Sequence, residues 1–510
     1  MDIKRTFRES VWVYVFAFLG SVFGYLVRIM YARNFSVAEY GLFYAVLTFI
    51  LLFGPLRDFG FNSSQGFYVN KFLVSKKYAE AKGVYYVTLG IQILIAVLIS
   101  LIIFLLKPYL VHYFFRDKLA NSMIDILLLL FIIQPIILSI TNAFGSYQKF
   151  LLFQIDDFLN IAFIFLFSLL FFNLKFTLLT APLSYLFACI LTIVIYLFLY
   201  KAKLKTLQVK AKFEGKATKD VFKYAIAISL GSVAGVMLPY TDIIILTWAK
   251  GVNSVGYYNV VLPSMQIILT MVTPALNILS PIAVNLYHSK KETQLLSLAS
   301  MIYNNLLIFT LPIAAIFFIY SSQVIYFVYG AKYLAASSAL KVYILFYIFI
   351  ILRRINFVFI GSIGHPSYTS KVMWIGVVFN TTLNLFLIYF FDYLGAVIAA
   401  GLTYLLMTLL SYNFLRKKVT INIDYQQQFK TIIAVILFIL CALLLEKFIV
   451  ISIPKWGIVI EGLIVLFISG IVYTISLFTL RVITKEKLLY IKKILFENPL
   501  SKEIQQERQL

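Results

Sequence analysis

The sequence predicts an all-α integral membrane protein, with about fourteen membrane-spanning helices in two pseudo-symmetric six-helix lobes and an appended C-terminal pair. Three observations predict it: composition, the length of the apolar runs, and an internal repeat. Of 510 residues, 62% are hydrophobic and only 13% charged, against about 45–50% and about 25% in ordinary soluble domains. A single core cannot absorb that excess, so most apolar side chains must face lipid or neighbouring helices. The runs are about 20–25 residues long, as a hydrocarbon slab about 30 Å thick requires at about 1.5 Å per residue. The strict alternation of barrel strands is absent.

The N-terminal lobe, 1–200, carries spans near 10–33, 40–65, 83–106, 119–147, 150–173 and 176–200. Its first run, from Val11 to about Ala32, is too long for a signal-peptide core and no small-residue cleavage site follows it, so it reads as a span. The stretch KAKLKTLQVKAKFEGKATK, 201–219, holds seven lysines and reads as a cytoplasmic basic linker lying along anionic membrane lipids. The C-terminal lobe, 220–415, carries spans near 220–249, 254–286, 294–320, 335–361, 367–391 and 394–415. Residues 416–480 add spans near 429–450 and 456–480, and 481–510 read as a cytoplasmic tail.

The repeat supports two lobes. GSVFG (20–24) in the first span returns as GSVAG (231–235) in the seventh. The end of the first span aligns with that of the seventh, setting Ala32 on Ala249, Arg33 on Lys250 and Gly41 on Gly256. FGSYQK (144–149) parallels IGSIGH (360–365). All keep a near-constant offset of about 215 residues. Six spans separate the copies, so both share one orientation in the membrane, which makes a parallel repeat.

The formal charge of +23 would point to nucleic acid in a soluble protein; here it reads as Lys and Arg retained on the cytoplasmic side, and no nucleic-acid partner is expected. With both termini cytoplasmic, 29 of the 44 basic residues fall in cytoplasmic segments and ten outside, as the positive-inside rule requires of a multi-pass protein of the cell membrane. Five remain: Arg28, Arg57, Lys223, Arg353 and Arg354. Lys223, in the first turn of the seventh span, can snorkel to the cytoplasmic interface.

The other four need a cavity or a partner, because a charge deep in hydrocarbon costs roughly 2.5–3.5 kcal/mol even on the lenient insertion scale. Arg57 and Asp58 fall near the middle of the second span, inside GPLRDFGFNSSQG (54–66), where Pro55 is expected to kink the helix. Adjacent helical residues point about 100° apart, so the two cannot simply pair with each other. Arg353 and Arg354 lie past the centre of the tenth span. Arg28 sits a turn from the outer end of the first, where it either faces a cavity or reaches the outer headgroups. Asp242, three residues after Pro239, is either a proton site or the partner of an arginine. Asn380 and Asn384 share one helix face and can bond a sugar or a neighbouring helix. Asp156 and Asp157 begin the fifth span, at the interface. Four deep arginines against two deep acids make a cavity suited to an anionic headgroup, since the guanidinium fork pairs bidentately with phosphate. Cys189, Cys441 and the three histidines form neither a disulfide framework nor a metal-ligand spacing, and no cofactor is expected.

Arg28-x-x-x-Ala32-Arg33-x5-Glu39-Tyr40-Gly41, the LRDFGFN that ends the second span, and FGSYQK after the fourth together resemble the Wzx-type polysaccharide flippases of the multidrug/oligosaccharidyl-lipid/polysaccharide exporter superfamily. The resemblance implies a MATE-like pair of bundles around a central cavity open alternately to each side. It implies a polyprenyl-(pyro)phosphate-linked oligosaccharide as substrate, with headgroup binding by Arg57, Arg353, Arg354, Arg28, Asn380 and Asn384. It further implies a coupling H+ or Na+ at Asp58 or Asp242, and other polysaccharide-assembly proteins as partners. In the related lipid II flippases arginines of the first two helices line such a cavity; Arg28 is displaced by one position from that pattern. Two alternatives follow from the residues. A multidrug extruder of the same fold would favour an acidic, aromatic cavity. A membrane-embedded glycan polymerase would need a catalytic segment of carboxylates or histidines, of which the short external connections show none; the chain is read as a transporter and not an enzyme.

Overall fold

The computed structural model describes residues 3–175, 177–204, 209–419, 421–448 and 457–483. The C-terminal tail past 483 and part of the basic linker, expected from the sequence, lie outside them. Among the described residues the regular structure is helical throughout, which is the predicted class. Among the described residues eleven helices are long and apolar enough to cross a membrane, or twelve if one bent pair counts as a single span. The expected fourteen is not reproduced by that count, for two local reasons. Pro366–Arg416 runs as one 51-residue helix through two expected spans, turning at Asp392 (φ 55°, ψ −137°). The expected eighth span falls in the 37-residue helix Val252–His288, some of whose side chains lie outside the described residues.

The chain forms two compact units, Met1–Val284 with Ser321–Leu415, and Asn285–Tyr320 with Arg416–Leu510. In the first, α1 (Ile3–Asn34) packs on α7 (Phe150–Asn173), and α7 on α8 (Thr180–Lys203). Helix α6 (Ala120–Ser146) lies at the centre of these helices. It touches α8, α5 (Tyr78–Tyr109), α4 (Phe61–Val74) and α2 (Val37–Leu51), which is why buried positions run almost all around it. Ser36 opens α2 with a capping box, accepting from Glu39 N–H while the Glu39 carboxylate accepts from Ser36 N–H.

The broken second span is resolved in detail. After α2 comes the five-residue α3 (Gly54–Asp58), with Pro55 in its first turn, where no intrahelical N–H is needed. The expected interruption at Pro55 appears as the end of α2 at Leu51, the residue whose carbonyl a helical Pro55 N–H would have met. A second break falls at Phe59 (φ 42°) and Gly60 (φ 79°), and a Cβ on Gly60 would stand 3.0 Å from the carbonyl carbon of Ala225. Only glycine suits both the left-handed turn and the close approach of α9 (Gly215–Lys250).

Two local features fall at positions that the sequence repeat pairs. Helix α10 (Val252–His288) meets α2 backbone to backbone: a Cβ on Gly41 would stand 2.7 Å from Gly256 N, and one on Gly256 would stand 3.2 Å from the carbonyl carbon of Val37. The contact is reciprocal. The second is a shared helix ending. Lys149 N–H donates to Phe144 O across left-handed Gln148, and His365 N–H donates to Ile360 O across left-handed Gly364, closing α14 (Tyr347–Ser362). Where α1 ends, Arg33 donates to the carbonyls of Val328 and Phe327 in α12 (Ser321–Tyr329), while Lys332 donates back to the carbonyls of Arg33 and Phe35. Helices α13 (Ala336–Leu345) and α15 (Pro366–Arg416) complete the unit, α15 packing Val372, Val377 and Met407 on Ala234 and Leu238 of α9.

Described linker residues run along the start of α5: Lys212 N–H donates to Ala79 O at 2.9 Å and its ammonium pairs with Glu80 at 3.1 Å. In the second unit, α11 (Glu292–Ile319), α16 (Tyr425–Phe448) and α17 (Gly457–Thr479) share a core of Ile308, Ala434, Phe438 and Leu477, and Tyr473 donates to Ile308 O at 2.7 Å.

Candidate functional site, a cavity lined by arginines

Within the first unit lies a cavity of about 840 Å³ lined by residues from 16–192 and from 239–404. The small face of α1, Gly20, Ser21 and Gly24, gives it room, and Arg28 lies one turn further along that face. Arg353 and Arg354 enter from α14, and Asp156 and Asp157 from α7. Arg28 lays its guanidinium 4.6 Å from the ring centroid of Tyr44 and leaves Nη1 buried without a hydrogen-bond partner. Arg353 sits 5.2 Å from both the Phe357 and Tyr404 rings, touches Met373 Sδ at 3.7 Å, and leaves Nε equally unpaired. Aromatic faces thus hold both cations in place without neutralising them.

The remaining site residues lie outside that lining. Arg57 is buried against α6, donating to Phe131 O at 2.8 Å and Gln134 Oε1 at 3.0 Å, 4.5 Å from the Phe131 ring. Asp58 accepts from Asn62 N–H at 2.9 Å and so holds the start of α4; Gln92 approaches the same oxygen at 3.4 Å. The structure brings Asp242, Asn380 and Asn384 together. Asp242 accepts from Tyr258 Oη and from Asn384 Nδ2, both at 2.6 Å, and Asn384 also bonds Asn380 Oδ1 at 3.0 Å. All four are buried, and Asn384 Oδ1 has no partner. Among the described residues no group of three His, Cys, Asp or Glu side chains is placed to hold a metal ion.

Sequence reasoning passed over two features of the lining. Asp156 and Asp157 read as interface residues, although an acid pair inside an apolar run was the available signal. Tyr44 carried none, being one of 35 tyrosines.

Comparison with known proteins agrees with this architecture. The chain is 25% identical over 499 residues to an uncharacterized membrane protein of Methanocaldococcus jannaschii, covering 94% of this chain and 96% of that one. It is 25% identical over 233 residues to the probable low-salt glycan biosynthesis flippase Agl15 of Haloferax volcanii, covering 44% and 48%. Its fold is similar to that of the lipid II flippase MurJ in an inward closed conformation, at TM-score 0.74 and 14% identity over 91% of this chain and 98% of that one. An inward-facing multidrug resistance MATE transporter matches at TM-score 0.61 and 13% identity, over 78% and 94%. The MATE-like fold expected from the sequence is therefore the observed one. The family model described as "Polysaccharide biosynthesis protein" matches residues 7–284, more than half of the chain, and the protein belongs to that family.

Proposed function

We propose that the protein flips a polyprenyl-(pyro)phosphate-linked oligosaccharide from the cytoplasmic to the outer leaflet of the cell membrane by alternating access. The observation that carries this reading is the convergence of Arg28 from one repeat with Arg353 and Arg354 from the other on a single cavity, two of them with an unpaired N–H. An anion bound there neutralises cations on both lobes and so has a stake in how they close. The glycan rides in the cavity while the lipid tail stays in the bilayer. Family membership and the basic connections support cytoplasmic termini and the direction of transport. Lobe boundaries at 1–200 and 220–415 are supported by the paired helix endings at 144–149 and 360–365.

The buried cluster of Asp242, Tyr258, Asn384 and Asn380 is the better-placed site for a coupling H+ or Na+, because an unpaired carbonyl oxygen lies beside a carboxylate. Asp58 is occupied in holding a helix start. Reconstitution in liposomes with a polyprenyl-diphosphate oligosaccharide, scoring headgroup movement between leaflets, tests the assignment. Arg28→Ala and Arg353→Ala should each abolish movement while inserting normally; movement at the wild-type rate in both refutes the cavity role.

A further inference from the structure

Gln134, on the α6 wall of the cavity, is held in one orientation by the chemistry behind it. Pro135, inside α6, has no N–H to give, so the carbonyl of Phe131 one turn earlier lacks its helical partner. Arg57 fills that gap. Its Nη1 donates to Phe131 O at 2.8 Å and to Gln134 Oε1 at 3.0 Å, with the guanidinium 4.5 Å from the Phe131 ring. A guanidinium carries donors only, so the Gln134 amide cannot turn over without setting N–H against N–H. Its Oε1 is committed to Arg57, and the residue lines the cavity. Nε2, with two N–H donors, is therefore the end that meets a ligand.

Helix α7 supplies acceptors to the same cavity. A Cβ on Gly20 of α1 would stand 3.6 Å from Phe158 Cα, and one on Gly24 would stand 3.7 Å from Ile161 Cγ2. That close packing sets the rotation of α7, which brings Asp156, Asp157 and Asn160 into the lining. Asn160 Oδ1 is buried with no hydrogen-bond partner among the described residues. Neither aspartate forms an ion pair among the described residues, so acids and arginines line one cavity without neutralising each other. Ligand classes differ in what they ask of such a wall. Phosphate oxygens need donors and a metal cation needs acceptors, whereas a hydroxyl both donates and accepts. Donors at Gln134 beside acceptors at Asn160 and Asp157 are the complement of hydroxyls.

We infer that this wall of α6 and α7 is a carbohydrate subsite, in which Gln134, Asn160 and Asp157 hold the hydroxyls of a neutral sugar of the lipid-linked glycan. Arg57 acts there as a positioning residue, through the Gln134 amide. A carboxylate in the wall also disfavours an acidic sugar by like-charge repulsion. The inference rests on the flippase reading above and names the part of the substrate that this wall holds.

The test uses the purified full chain in nanodiscs, with affinity read from thermal stabilisation against probe concentration. The probes are the methyl, glucosyl, galactosyl, mannosyl and glucuronosyl diesters of farnesyl diphosphate. The methyl diester shares the lipid and the diphosphate charge of the neutral glycosyl diesters but has no sugar. Their affinity ratio in any one variant therefore isolates the sugar. In wild type at least one neutral glycosyl diester should bind about tenfold tighter than the methyl diester, as one or two hydrogen bonds supply. Gln134→Glu keeps an acceptor for Arg57 and removes the N–H donors, and Asn160→Ala removes the unpaired acceptor; each should cut that ratio to about one to threefold. The glucuronosyl diester should bind about tenfold more weakly than the glucosyl one, and Asp157→Asn should narrow the difference. Methyl-diester binding with no gain from any of the three neutral sugars overturns the subsite and leaves the flippase reading standing. So does a wild-type ratio in both Gln134→Glu and Asn160→Ala. Equal affinity for glucosyl and glucuronosyl diesters overturns the role of Asp157. No binding of any diester to wild type overturns the subsite and the flippase reading together.

Discussion

Gly41→Ala is the substitution the fold is least able to absorb. Its Cβ would stand 2.7 Å from Gly256 N and 2.9 Å from the Val252 carbonyl carbon, where unstrained heavy-atom contacts settle at about 3.5–4.0 Å. Both neighbours are backbone, so no side chain can rotate away, and α2 and α10 must part by about 1 Å. Overpacking of this kind costs about 1–3 kcal/mol. Every 1.4 kcal/mol is about a factor of ten, so the state with these helices in contact should lose about 5- to 150-fold relative to one that separates them. A cysteine at Ser254, buried at the start of α10, reports that separation in a chain whose Cys189 and Cys441 are replaced. A membrane-impermeant maleimide added from outside should label it correspondingly faster in Gly41→Ala. Gly256→Ala should act in the same direction, because Gly256 meets Val37 as Gly41 meets Val252. Unchanged labelling together with an unchanged melting temperature would refute the reasoning and show that other contacts hold this face closed.

Arg57→Ala should cost about 1–3 kcal/mol of stability, read as a lower melting temperature, because it deserts Phe131 O and Gln134; the folded fraction should bind farnesyl diphosphate like wild type, and a selective loss of binding would return Arg57 to the cavity. Asp58→Ala should lose about 0.5–2 kcal/mol through the freed Asn62 N–H, with Asp58→Asn recovering most of it. Arg33→Ala and Lys332→Ala remove the two halves of one reciprocal contact; a double-mutant cycle on melting should give a coupling of about 0.5 kcal/mol or more, and strict additivity would dissolve the link. Asp242→Asn should abolish the dependence of headgroup movement on a H+ or Na+ gradient while leaving diphosphate affinity unchanged, since Asp242 lies outside the cavity lining.

What could be read from the sequence was depth; what could not was direction. Lipid penalises any charge by its distance from water, so Arg28, Arg57, Arg353 and Arg354 stood out whatever they touched. Which way each points depends on helix rotation, and Arg57 stands in a five-residue helix set off by the end of α2 at Leu51 before it and by the left-handed turn at Phe59 and Gly60 after it. A Gly following Asp-Phe marks a turn in sequence but does not fix its angle, and the same turn explains why the adjacent Asp58 serves α4 while Arg57 serves α6. Local rules carried further where backbone alone was at stake. FGSYQK and IGSIGH share only Gly and Ser at matching places, yet both end a helix through a left-handed residue at the same place, Gln148 and Gly364, and an equivalent hydrogen bond. Asn380 and Asn384 show the boundary between the two cases. Their spacing of four placed them on one face, but Asp242, 142 residues from Asn384, joins them only through packing of α9 on α15. Tyr44 lies beyond it altogether: it is one of 35 tyrosines, and its ring meets the Arg28 guanidinium at 4.6 Å, a contact that only three dimensions can display.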